Sequence, residues 1–179
     1  MAFAPAAPAR RDLEIPVPPG ADAFSALAWA PTTNHIAATS WDGKVRVWEV
    51  QRGAGNAPVG GVGKLEFDAG APLLDLAWKE DGQHAFIGGC GKTVKLWSLA
   101  TNSATDVGTV SVRSFTLHSL LHVTASSAPH LCPQQHDAPI KGVGWAAEKQ
   151  FLVTGSWDKS LRYWDTRSPT PMFVLPMSE

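Results

Sequence analysis

Residues of catalytic type occur late in the chain: His136, Ser156 and Asp158. A hydrolase combines such residues into a nucleophile, its base and an orienting acid. It also needs a sharp turn that exposes the nucleophile and donors for an oxyanion, and no such pattern surrounds Ser156. A second chemistry to weigh is metal binding by His118, His122, His130 and Cys132. His118 and His122 are four residues apart and would share one face of a helix as zinc ligands. Their surroundings hold one charge, Arg113, with no carboxylate to orient a ligand and no helix cap. Gly60-Gly61-Val62-Gly63-Lys64 lacks phosphate-loop spacing and reads as a loop leading to an outer strand. The expectation is no catalytic residue, no metal, no cofactor and no small-molecule substrate.

The elements that carry these residues emerge from composition and spacing. The 179 residues include eight Trp but one Tyr, with 16 Gly and 14 Pro. Many indoles with many turn formers indicate short strands joined by tight turns. The net charge is −1 and charged residues make up 17%, too weak a field to drive binding to nucleic acid or anionic lipid. No apolar run nears the ~20 residues of a membrane span. Two cysteines, Cys90 and Cys132, form no disulfide framework, which fits a reducing compartment. The Ala/Pro-rich start has no apolar core of signal-peptide length and is expected to be a flexible tail, residues 1–20.

Three segments align. Trp29 and Trp48, Trp78 and Trp97, and Trp145 and Trp164 bracket them, each pair 19 residues apart. Within each copy an alternating strand a ends in Trp, and a short strand b ends in small residues. Strand c then alternates Val or Leu with Lys or Arg and ends in the second Trp. Asp42-Gly43, Gly91-Lys92 and Asp158-Lys159 mark the b–c turns. The period of two puts Val45, Val47, Val94, Leu96 and Leu161 on one face, and Lys44, Arg46, Lys95 and Arg162 on the other. A fourth, outer strand is expected near 65–67 and near 173–175.

This is the WD-repeat pattern, about 40–45 residues and four strands per blade. The expected fold is all-β: a partial β-propeller of three WD-type four-stranded blades, a fragment of a seven-bladed ring. Repeats fall at about 21–50, 65–100 and 135–166, within a propeller region 21–179. In this repeat type a buried Asp at the b–c turn bonds a His ahead of strand a. That His bonds a Ser or Thr of strand b and the Trp of strand c, so polar groups inside the blade are satisfied. Repeat three has the parts: His136, Thr154 or Ser156, Asp158 and Trp164. Repeat one keeps Asp42 and Trp48 but has Gly20 at the His position; repeat two has Ala69 and Gly91 and lacks both His and Asp. Trp41 and Trp157 follow strand b, where core packing is expected over an exposed interaction rim. Trp164-Asp165-Thr166-Arg167 matches a motif with which some WD-repeat proteins dock on a ubiquitin-ligase adaptor; the alternative is that Arg167 pairs locally.

Outside the segment 110–134, the chain from Asp12 to Pro176 resembles the nuclear-pore-associated mRNA export factors, a group of seven-bladed WD-repeat proteins. The stretches that carry the resemblance are Glu14-Ile-Pro-Val-Pro-Pro, Ser40-Trp-Asp-Gly-Lys-Val-Arg-Val-Trp-Glu-Val-Gln, Gln135-His-Asp-Ala-Pro-Ile-Lys and Thr154-Gly-Ser-Trp-Asp-Lys-Ser-Leu-Arg-Tyr-Trp-Asp-Thr-Arg-Ser-Pro. The mitotic-checkpoint WD-repeat proteins share His-Asp-Ala-Pro and Gly-Ser-Trp-Asp. Trp48-Glu-Val-Gln and Trp78-Lys-Glu-Asp-Gly favour the export factors. The resemblance implies a non-enzymatic scaffold at the nuclear pore and envelope, shuttling to the cytoplasm and supporting poly(A) RNA export. Implied partners are a nucleoporin peptide segment and RNA, the latter contacted indirectly or weakly. No partner-contact residue carries over, because the family's main contacts lie in later blades.

Two features depart from a regular ring. Trp29 to Trp78 is 49 residues but Trp78 to Trp145 is 67; without the 25 residues 110–134 it would be 42. Joining Thr109 to Gln135 would restore the repeat, as removal of a retained intron would. An arc of three blades also leaves two apolar flanks, so self-association or poor solubility is expected. Sequencing the spliced transcripts is expected to recover messages without codons 110–134. If every message carries them, the retained-intron reading fails.

Overall fold

The structure is a computed structural model that describes residues 14–107, 135–168 and 170–177. The segment 110–134, with His118, His122, His130 and Cys132, lies outside the described residues, as does most of the expected tail. Within the described part of that tail, Pro16 O accepts a 2.9 Å bond from Trp48 Nε1 on the first sheet.

The described residues form twelve strands in three four-stranded antiparallel meanders. Blade one is β1 (Phe24–Trp29), β2 (His35–Ser40), β3 (Lys44–Arg52) and β4 (Pro58–Asp68). Blade two is β5 (Leu73–Trp78), β6 (His84–Gly89), β7 (Lys95–Ser98) and β8 (Ser103–Asp106). Blade three is β9 (Ile140–Ala146), β10 (Phe151–Ser156), β11 (Ser160–Asp165) and β12 (Phe173–Pro176). The architecture is a partial propeller of three WD-type blades, and β4 and β12 supply the expected outer strands.

The b–c turns need a left-handed residue, and Gly43, Lys92 and Lys159 take it at φ values of 82°, 64° and 62°. Blade one requires glycine there, because a Cβ on Gly43 would come within 3.1 Å of Ala71 O. At the other two turns a lysine fits at modest strain.

The blades stack face to face. Val45, Val47, Leu73, Leu76, Trp78, Ile87 and Trp97 make a core between blades one and two. Phe86, Val94, Ile140, Leu152 and Trp164 make one between blades two and three. Alternation along strand c therefore separates the face toward the following blade from the face toward the preceding one. The basic residues on the second face are not all turned to water. Arg46 and Arg162 are only 4% and 5% exposed.

The strand-a indoles tie each blade to the one before. Trp78 Nε1 donates 3.0 Å to Ala28 O on β1, and Trp145 Nε1 donates to a Glu80 carboxylate oxygen beside β5. Trp145 also lies 5.0 Å from Phe86, centroid to centroid. Trp29, on the first blade, is half exposed. Trp41 and Trp157 are exposed as well, at 44% and 56%, against the expectation of core packing. The chain turns sharply straight after strand b, and the side chain that follows points past the end of the sheet.

Trp97 is fully buried. Trp97→Ala should cost about 3–5 kcal/mol in urea unfolding, and Trp41→Ala should stay within about 1 kcal/mol. Equal losses would contradict this packing.

Candidate interaction site

The polar chain of blade three is built from one loop and three strand positions. His136 precedes β9, Thr154 lies in β10, Trp164 lies in β11, and Asp158 sits in the turn between β10 and β11. Asp158 Oδ2 is 2.7 Å from His136 Nδ1, Thr154 Oγ1 is 2.8 Å from His136 Nε2, and Trp164 Nε1 donates 2.9 Å to Thr154 Oγ1. Only a neutral ring satisfies every atom. Trp164 donates to Thr154, Thr154 donates to Nε2, and Nδ1–H donates to Asp158. A second ring proton would point at the threonine oxygen and orphan its hydroxyl hydrogen.

Electrostatics follows from this arrangement. Burial lowers the His136 pKa, against the pull of Asp158. Burial alone would raise Asp158, but bonds from Ser160, His136 and the Asp137 amide outweigh it and hold the carboxyl well below the usual range. The His side chain is wholly buried and its Asp nearly so. These groups bond one another, and the arrangement holds the b–c turn against the strands. Ser156, the open alternative to Thr154, has another role: its hydroxyl donates to Ala138 O and Pro139 O, pinning the loop that enters β9. Ser40 does the same in blade one, to Asp22 O and Ala23 O.

Blade one solves the missing His differently. Arg46 Nη2 lies 2.6 Å from Asp42 Oδ2, and Arg46 Nε lies 2.8 Å from Glu66 Oε2. Burial would raise the Asp42 pKa, but the Arg46 and Lys44 bonds hold it at about 2. The sequence does carry a signal for this, since Asp and Arg recur four residues apart as Asp42/Arg46 and Asp158/Arg162. Arg162 Nη1 likewise donates 2.6 Å to Gln135 O. Blade two has neither Asp nor His at these places. A Cβ on its Gly89, in register with Ser40, would lie 2.2 Å from Pro72 O. All three blades make the backbone bond at this place, and blades one and three add a serine hydroxyl to it.

Two exposed features remain. Trp41 and Trp157 stand at equivalent b–c turns, and Lys159 sits at the tip of the same turn as Trp157. Arg167, 82% exposed along its side chain, is held by both oxygens of Asp165 at 2.8 and 2.7 Å. Asp165 is held at about 2 by that pairing. Trp164, the first residue of the same tetrapeptide, is buried in the blade core. Among the described residues no three His, Cys, Asp or Glu side chains gather to hold a metal. No helix among them is long and apolar enough to cross a membrane.

Comparison with known proteins agrees with this geometry. The WD domain, G-beta repeat family matches residues 17–49, 64–98 and 129–165. The chain is 35% identical over 173 residues to Protein Rae1 of Drosophila melanogaster, covering 94% of this chain and 41% of that protein. It is 31% identical over 170 residues to the Poly(A)+ RNA export protein of Schizosaccharomyces pombe, covering 95% and 40%. It is 35% identical over 174 residues to the mRNA export factor of Xenopus tropicalis, covering 94% and 39%. The chain thus spans about two fifths of the length of these relatives.

His136→Ala strands Thr154 and Asp158 and should cost about 3 kcal/mol, whereas Asp165→Asn at the exposed pair should leave the unfolding midpoint nearly unchanged. Both His136 and Asp158 have folded-state pKa values below their unfolded ones. Their stabilisation is therefore present above the unfolded values and is lost as pH falls. Stability should drop first below about pH 6.5 and again below about pH 4, and His136→Ala should remove the first step. A flat profile between pH 7 and 5 would refute the neutral buried ring. Recurrent indole pairs, three equivalent meanders and a family match at each of them lead to one statement: the chain belongs to the WD-repeat family.

Proposed function

We propose that this chain is a non-enzymatic WD-repeat scaffold acting in poly(A) RNA export, with a nucleoporin peptide segment as its protein partner. One observation carries the reading: nearly the whole chain aligns with relatives named for RNA export in fission yeast and frog. The geometry fits a binding role. Its polar clusters are spent on holding turns, while Trp41 and Trp157 face solvent at the ends of blades one and three. Indoles so placed offer large apolar area at low entropic cost to a docking peptide. With a net charge of −1 the chain has little electrostatic pull on phosphates, so RNA contact is weak or indirect. The expected place of action is the nucleus and the nuclear pore, with passage to the cytoplasm.

A second reading rests on Arg167, which Asp165 holds oriented toward solvent. Such a fixed guanidinium could dock a ubiquitin-ligase adaptor.

A pull-down of nuclear-pore proteins with the tagged chain, beside the frog mRNA export factor, separates the two. Nucleoporins should be recovered by both baits, and recovery should fall several-fold for the chain carrying Trp41→Ala and Trp157→Ala. An adaptor recovered in their place, and lost with Arg167→Ala, would overturn the export reading.

A further inference from the structure

We propose that Thr170, in the turn between β11 and β12, is a phosphorylation site for a proline-directed protein kinase, with Arg167 as the partner of the phosphate. The sequence singles out this turn. Of the 14 prolines, 12 follow Ala, Ile, Val, Leu, Cys or Pro, and the other two follow hydroxyl residues in the run Arg167-Ser168-Pro169-Thr170-Pro171. A proline lacks an N–H and biases the residue before it toward extended backbone, which suits an acceptor laid along a kinase cleft. The fold supplies the access. Thr170 is exposed, whereas Ser168 is partly buried and its N–H donates 2.9 Å to Asp165 O. The bonds of Thr170 are long: its N–H donates 3.4 Å to Ser168 Oγ, and the two hydroxyl oxygens lie 3.5 Å apart, at the outer limit of hydrogen bonding. Lifting Thr170 into an active site therefore breaks no strong bond. Exposure here belongs to the turn itself. The matching turn of blade two, between β7 and β8, also exposes Ala100, Thr101 and Asn102, although that blade packs against a neighbour on both faces.

In the transfer the Thr170 hydroxyl oxygen attacks the γ-phosphorus of magnesium ATP. The Oγ1–P bond forms, the bond from the γ-phosphorus to the bridging oxygen breaks, ADP leaves, and the hydroxyl proton passes to a base of the kinase. Before modification the turn is electrically balanced. Arg167 holds both oxygens of Asp165 at 2.8 and 2.7 Å while its side chain stays 82% exposed. That pairing occupies two of the five guanidinium N–H groups and leaves the rest for a second anion. A phosphate on Thr170, three residues along, brings a charge of about −1.5 to −2 and strong acceptor oxygens. Arg167 then bridges the Asp165 carboxylate and the phosphate. A turn whose charges cancel becomes an acidic one, fastened at its arginine.

The purified 179-residue chain, incubated with a proline-directed kinase and magnesium ATP, should gain one phosphate, and peptide fragmentation should place it on Thr170. Thr170→Val should abolish the incorporation, and Pro171→Ala should slow it about tenfold or more. Both variants should keep the β-sheet circular dichroism, since they alter only an exposed turn. Phosphate on Ser168 in place of Thr170, undiminished labelling of Pro171→Ala, or no labelling by a kinase that is active on a Thr-Pro peptide would overturn the site. Phosphorus NMR titration of the modified chain tests the pairing. The second ionisation of the phosphothreonine should fall at lower pH in the otherwise unaltered chain than in Arg167→Gln, because a neighbouring guanidinium favours the dianion. Equal values in the two would refute the role of Arg167.

Discussion

A tryptophan buried at the end of strand c fills the space between two sheets but brings one N–H that must find an acceptor away from water. Each blade meets that demand, and each does so differently. Trp164 uses Thr154 in its own blade, Trp97 reaches the Asn102 side chain, and Trp48 takes the carbonyl of Pro16 from the segment ahead of the blade. The indole is constant because its volume sets the spacing of the sheets. Its acceptor varies because any well-placed oxygen satisfies a single donor.

The polar clusters follow the same logic. Blade three uses His136 to connect its b–c turn to its buried threonine, and blade one uses Arg46 to connect its turn to the outer strand through Glu66. Blade two has neither, and it is the blade covered on both faces by neighbours. It is held from outside: Val143 N donates to Asp75 Oδ2, the Ser25 hydroxyl donates to Leu73 O, and Asn102 Nδ2 donates to Glu66 O. Blades one and three carry the internal clamps. What a blade lacks in internal polar bonds is supplied across its faces.

Strand interiors are committed to packing, so the exposed indoles stand at turns, beyond the paired strands. Trp41 and Trp157 occupy such places at one end of their blades, and the Asp165–Arg167 pair occupies a turn at the other end of strand c.

The three blades, their strand order and the turn positions were legible in the sequence, because indole spacing and period-two alternation are local properties of a pleated chain. The partners of His136 were legible as a set, since residue types at fixed offsets from a turn report a local hydrogen-bond chain. Tertiary structure alone decided between Thr154 and Ser156, because both lie on one face of β10 and only the position of the neighbouring loop tells them apart. It also decided the fate of Arg46 and Arg162. Alternation shows that a strand has two faces, but whether the second meets water depends on what closes over it: Asp42 and Glu66 at Arg46, Gln135 at Arg162. Exposure of Trp41, Trp157 and Trp29 was hidden for the same reason: an indole is apolar wherever it stands, and its burial is a property of what stacks against it.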